Sequence, residues 1–155
     1  MLENCKSAQE RWGGVSEIID RWLKSRQELL VQYCSLSEIV ETSDHEEYGP
    51  SLQKLCQIMV DYISAGHFEV YDQLVKEGRD FNNTAGLESA GDFFKTIDSC
   101  TEYLLDFNDK YLETDDLGTI VADLSSLGEV LERRFEVEDS MIELLHTVNK
   151  DRATI

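Results

Sequence analysis

The sequence predicts an all-α fold, an antiparallel four-helix bundle with a short N-terminal helical arm, from three observations. Apolar residues recur at helical spacing in four separate stretches of roughly 20 to 30 residues. Short connections join these stretches, as up-and-down bundles require. A single proline in 155 residues argues against a loop-rich β fold, and no period-two alternation of useful length competes.

The first stripe runs Val15, Ile18, Ile19, Trp22, Arg26, Leu29, Leu30, Tyr33, Leu36, Ile39 and Val40. Ahead of it, residues 1–14 form the arm, a separate helical turn ending at a Gly13-Gly14 hinge. Residues 41–49 are acidic and polar, and Gly49-Pro50 marks a loop and a helix start. The second stripe is Leu52, Leu55, Met59, Tyr62, Ile63, Gly66, Val70 and Leu74, with Gly78 as its expected C-cap. Residues 79–91, with Asn82-Asn83 and two glycines, read as a loop. The third stripe, Phe93, Ile97, Cys100, Leu104, Phe107 and Tyr111, ends near Glu113-Thr114-Asp115-Asp116. The fourth runs Leu117, Ile120, Val121, Leu124, Leu127, Leu131, Phe135, Met141, Ile142 and Leu145, and the last few residues are expected to fray.

Residues 1–155 fit one domain, long enough to bury a core without staples. Against 14 basic residues stand 32 acidic ones, a formal net charge of −18. Such a chain repels phosphate backbones, so direct nucleic-acid binding is not expected. The same field would steer a basic partner; a merely solvated acidic surface is the plainer alternative. No apolar run approaches the roughly 20 residues of a membrane span. Met1-Leu2-Glu3-Asn4-Cys5-Lys6 lacks the basic patch and apolar run of a signal peptide, so a cytoplasmic location is expected. Cys5, Cys34, Cys56 and Cys100 form no Cys-x-x-Cys pair and read as small core or surface residues.

No nucleophile with a base at usable spacing and no phosphate-binding glycine loop is present, so no enzyme and no cofactor is expected. His67-Phe68 resembles the start of the His-Phe-x-x-Glu motif of hemerythrin-like bundles. Tyr71 stands at the i+4 position, however, and Arg134 takes the place of the matching histidine in the fourth helix. Three histidines cannot supply a di-iron site, so no metal is expected. Arg134 and Glu138, four apart beside the apolar stripe, read as a partly buried polar cluster between the second and fourth helices or as a solvated ion pair. His67 is expected to pack and hydrogen-bond rather than ligate.

The segment Val60-Asp61-Tyr62-Ile63-Ser64-Ala65-Gly66-His67-Phe68 sets polar residues into an apolar helix. Asp61, Ser64, Phe68 and Tyr71 are three, four and three apart and share one helical face. Beside it lies the face of Met59, Ile63 and Val70, assigned to the core. A carboxylate, a hydroxyl and aromatics on one ridge suit a partner helix bearing apolar anchors and a basic residue. Phe68 as plain core and Asp61 as plain surface remain the alternative.

Four strings carry a resemblance: Asp20-Arg21-Trp22-Leu23, Leu29-Leu30-Val31-x-Tyr33, Val60-Asp61-Tyr62-x-Ser64-Ala65-Gly66-His67-Phe68-x-x-Tyr71, and Leu131-Glu132-x-Arg134-Phe135-x-x-Glu138-Asp139. Over nearly the full length the chain resembles the regulator-of-sigma-D / AlgQ family of anti-sigma factors, most of all its AlgQ branch. The resemblance implies a cytoplasmic bacterial regulator of transcription whose partner is region 4 of the primary (housekeeping) sigma factor. Binding would block that region's contacts with −35 promoter DNA and core RNA polymerase. It also implies partner-binding roles for Asp61, Ser64 and Phe68, with Tyr71 on the same ridge. Asp20, Arg21 and Trp22 match too, and stay open between interface and structure. Weak self-association through the same face stays open as well. The rival readings are a hemerythrin-like metal- or oxygen-binding bundle and a helical adaptor for another regulatory protein.

Overall fold

The computed structural model describes residues 8–42, 45–113 and 117–150. Five α-helices and a π turn make up four long helical rods: α1 (Ala8–Ile39), α2 (His45–Ala65) continuing through the π turn Gly66–Val70 into α3 (Tyr71–Asp80), α4 (Thr84–Glu113), and α5 (Ile120–Leu145). A 3-10 turn, Thr147–Asn149, follows α5. No strand occurs among the described residues.

The four apolar stripes become one shared core. Leu29 and Leu36 of α1, Leu55 and Met59 of α2, Ile97 and Leu104 of α4, and Leu127 and Met141 of α5 are fully buried. Burying each such side chain contributes roughly 1.5–3 kcal/mol against the cost of ordering the chain. Cys56 and Cys100 are buried and Cys34 is exposed. No described helix is long and apolar enough to cross a membrane.

Polar cross-links order the rods. Trp12 near the start of α1 donates through Nε1 to the His146 carbonyl at 2.8 Å, whereas Tyr33 near its end donates to the Leu124 carbonyl at 2.7 Å. Trp22 Nε1 donates to the Tyr62 carbonyl at 3.2 Å, and Gln32 to the Ser51 carbonyl at 3.0 Å. Each pair runs in opposite chain order along its two helices.

Several element boundaries depart from the periodicity. The helix α1 passes through Gly13-Gly14 without a break, so from residue 8 the expected arm is its first two turns; residues 1–7 lie outside the described residues, as does the expected fraying at 151–155. A helix with a strongly packed face downstream tolerates two glycines, each costing about 1 kcal/mol relative to alanine. The rod of α2 begins at His45, ahead of the Gly49-Pro50 expected to open it, and carries Pro50 inside the helix. Gly78 is not the cap. The helix continues to Asp80 and the turn is made by Asn82, whose φ is 53°. Gly78 instead allows close approach: a Cβ there would meet Leu87 Cδ2 at 2.8 Å and Leu145 Cδ2 at 3.0 Å. The expected loop at 79–91 shrinks to three residues, since Asn83 Oδ1 accepts from the Gly86 N–H at 3.0 Å and starts α4 early.

At one end of the bundle a second polar group ties the C-terminal turn down. His146 stacks on Trp12 with ring centroids 4.4 Å apart, and its Nδ1 lies 2.8 Å from Glu77 Oε1. Asn149 Nδ2 donates to the same carboxylate at 3.3 Å, and Ser16 Oγ is 2.7 Å from His146 Nε2. Residues from α1 and α3 thus meet at the His146 imidazole, and the 3-10 turn shares its Glu77 partner through Asn149.

Candidate functional site

The candidate site is built from the inside outward, starting at Glu138 on α5. Its side chain is 1% exposed, and four donors surround it. Tyr62 donates to Oε1 at 2.5 Å, Tyr71 donates to Oε2, and Arg26 Nη2 donates to Oε1 at 3.3 Å. Arg134, fully buried one turn earlier on α5, brings Nε to 3.3 Å of Oε2 as an ion pair without hydrogen-bond alignment. The cluster expected between the second and fourth rods is therefore a buried network reaching all four.

The arginines are themselves held. Arg26 packs over the Phe135 ring at 4.7 Å, donates to Tyr62 at 3.1 Å and pairs with Asp139 at 2.6 Å. Arg134 donates to the Tyr71 hydroxyl at 3.0 Å and to Thr101 Oγ1 at 2.7 Å. Two cations facing two carboxylates satisfy the charge balance that burial demands. Burial drives the Glu138 carboxyl above the usual carboxylate range despite the guanidiniums that pull it back. The Tyr62 and Tyr71 phenols are pushed up by burial and by the Glu138 charge, so both stay protonated donors.

This network sits directly behind the π turn. The Tyr71 N–H donates to the Gly66 carbonyl five residues back, where an α-helix would use four. One extra residue in the turn rotates everything beyond it by about 100°. That rotation explains the principal correction to the sequence reading. Tyr71 was expected on the outer ridge with Phe68, because three residues apart in an α-helix means the same face. It is instead 4% exposed and points at Glu138 and Arg134. Gly66 makes the turn possible: a Cβ there would meet the Tyr71 ring at 3.1 Å and Trp22 at 3.2 Å.

The other expected site residues divide cleanly. Phe68 is 86% exposed, the most exposed large apolar side chain described. Asp61 is exposed about two turns earlier, bonded only to Gln57 at 3.0 Å, and Ser64 between them is half-buried. Asp20 is exposed, and Arg21 is exposed and pairs with Glu69 of the π turn at 3.6 Å. Trp22, a partner-binding candidate left open between interface and structure, is 3% exposed and stacks on Tyr62 at 4.8 Å. Its indole fills the space behind the π turn, so its contribution is to position that turn. The sequence reading missed Arg26 and Thr101 as network members. Arg26 stands within an otherwise apolar stripe, and that was the available signal.

His67 closes the site on the α4 side. Thr101 donates to the Ile97 carbonyl at 2.8 Å and accepts from Arg134, which leaves His67 Nε2–H to donate to Thr101 Oγ1 at 3.1 Å. Burial and then the Arg134 charge hold the imidazole below its ordinary pKa of 6.5. Among the described residues no three His, Cys, Asp or Glu side chains converge as metal ligands. The arrangement presents a surface.

Two outcomes test this geometry. Glu138→Gln leaves two buried guanidiniums without one of their counter-charges and should cost about 3–5 kcal/mol in urea unfolding. His67 is neutral in the fold and takes up a proton more readily when unfolded. Stability should therefore fall as pH drops below about 6.5, and the fall should be smaller in His67→Gln.

Comparison with known proteins fits the geometry. The model of the family described as regulator of RNA polymerase sigma(70) subunit, Rsd/AlgQ, matches residues 1–146. A protein named regulator of sigma D from Yersinia pseudotuberculosis serotype O:1b (strain IP 31758) is 32% identical over 151 residues, covering 92% of this chain and 88% of its own. The regulator of sigma D of Enterobacter sp. (strain 638) is 35% identical over 152 residues, covering 93% and 89%. With the match spanning the π turn and every member of the buried network, the chain belongs to the Rsd/AlgQ family of sigma-factor regulators.

Proposed function

We propose that this chain is a cytoplasmic, single-domain anti-sigma factor that binds region 4 of the primary sigma factor and acts by sequestration rather than catalysis. The observation that carries the reading is Phe68, 86% exposed on a π turn backed by a buried, charge-paired network. An aromatic anchor that a soluble fold leaves in water is a hallmark of partner surfaces. The family description and the relatives' names supply the sigma factor. The opposite-order cross-links support an antiparallel four-helix bundle as the scaffold.

The physics of the exposed residues supports region 4 in particular. That region, as the family resemblance implies, is a basic helix-turn-helix module that reads promoter DNA. A protein of net charge −18 attracts such a module, speeds its association and makes binding sensitive to salt. Asp61 offers an exposed carboxylate to a cation beside the aromatic, and Ser64 a hydroxyl between them. Occupying a DNA-reading surface with an acidic one excludes DNA by volume and by charge. Promoter choice then shifts as free housekeeping sigma falls.

Calorimetry of the chain with isolated sigma region 4 tests this directly. Binding should be micromolar or tighter at low salt and weaken at moderate salt. Phe68→Ala should cost about 2 kcal/mol or more of binding, and Asp61→Ala should reduce the salt dependence, both with unchanged thermal stability. No interaction in the micromolar range at low salt contradicts the proposal.

A further inference from the structure

Exposed large apolar side chains occur on α4 as well as at Phe68. Leu105 and Leu112 are 40% and 69% exposed there, although neither belongs to the apolar stripe that builds the core. Thr101, Leu105, Asn108 and Leu112 are four, three and four apart and form one strip along the helix. Neighbours fix where that strip points. Thr101 is hydrogen-bonded to His67 in the π turn, and Phe94, on the same side of α4, packs its ring against Tyr71 at 5.9 Å. On the far side of α4, Lys110 reaches Asp123 of α5 at 2.6 Å. The strip therefore flanks α2 and the π turn, not α5.

The register follows from the same contacts. Passing from Tyr71 back to His67, the partner on α4 moves forward from Phe94 to Thr101. Continuing one turn, Leu105 falls level with Ser64, and Leu112 lies further toward the start of α2. Glu102 and Asp109 stand exposed beside the two leucines, and neither is ion-paired among the described residues. An apolar strip with an unneutralised acidic edge thus lies on the side of α4 that meets the π turn carrying Phe68.

Resting on the function proposed above, we infer that this α4 strip is the second bank of the docking surface, so that sigma region 4 lays a basic amphipathic helix along the seam between α2 and α4. Phe68, Leu105 and Leu112 would take its apolar side, and Asp61, Glu102 and Asp109 its lysines and arginines. Charge selects this occupant. A second copy of the chain would bring two acidic edges together at −18 each, whereas a basic helix neutralises them.

The test is calorimetry of the full-length chain carrying Leu105→Ser and Leu112→Ser together, against isolated sigma region 4. Both side chains are exposed, so circular dichroism and melting should match the parent, while Kd should rise at least tenfold. A Val121→Ser variant, exposed on α5 in a cleft facing α1, should bind like the parent. Glu102→Lys with Asp109→Lys should weaken binding most at low salt. If the double serine variant binds within twofold of the parent while Phe68→Ala is weakened, the α4 bank is wrong and the function stands. If the parent itself fails to bind region 4, the function falls and this inference with it.

Discussion

One buried carboxylate organises this molecule. Glu138 draws Arg26 of α1, Tyr62 of α2 and Tyr71 of α3, with Arg134 of its own helix, to a single point between the rods, and each donor has little alternative once water is excluded. A carboxylate at that depth is costly unless its charge and lone pairs are met, and removing any partner strands another group. The arrangement therefore favours one mutual placement of the rods over neighbouring ones that would bury similar apolar area. Apolar stripes alone would leave rotation and sliding of the helices weakly specified; the polar network fixes them.

The π turn is the visible consequence. Tyr71 can reach Glu138 only because one extra residue rotates α3, and the rotation that carries Tyr71 inward leaves Phe68 facing outward. Trp22 and Gly66 fill the space behind the turn with ring contact instead of a side-chain clash. An exposed phenylalanine is thereby paired with a rigid backing, which lowers the entropy lost when a partner covers it. The acidic surface acts at longer range than these contacts, over about 10 Å at 0.1 M salt. Field and anchor play different parts: the first sets how often a basic partner arrives, the second how long it stays.

Most of the fold was legible in the sequence because burial leaves a period. Leu29, Met59, Leu104 and Leu127 sit where the stripes put them, and the core needs no other information. Boundaries were harder, since Gly13-Gly14, Pro50 and Gly78 are local signals that packing overrode. At the site, Asp61 and Phe68 were readable as surface because they break the stripe. Tyr71 was misplaced because helical spacing assumes 3.6 residues per turn and a single π turn cancels it, whereas Trp22 is buried as its place in the first stripe implied. No residue type announces such a turn, although the crowded pairing of Gly66 with Trp22 and Tyr71 is what permits it. The family strings quoted above include Tyr62, Tyr71, Arg134 and Glu138 but neither Arg26 nor Thr101, so resemblance pointed at part of the network whose job periodicity could not assign.

The most direct measurement is amide hydrogen exchange along the full chain, with and without saturating sigma region 4. Backbone amides in and before the π turn, residues 57–70, should exchange slowly but measurably in the free chain, through local openings smaller than global unfolding. They should slow strongly on binding, while the cleft between α1 and α5 stays unchanged. Protection confined to that cleft, with exchange at 57–70 unaltered, would contradict the claim that the buried network exists to present this surface.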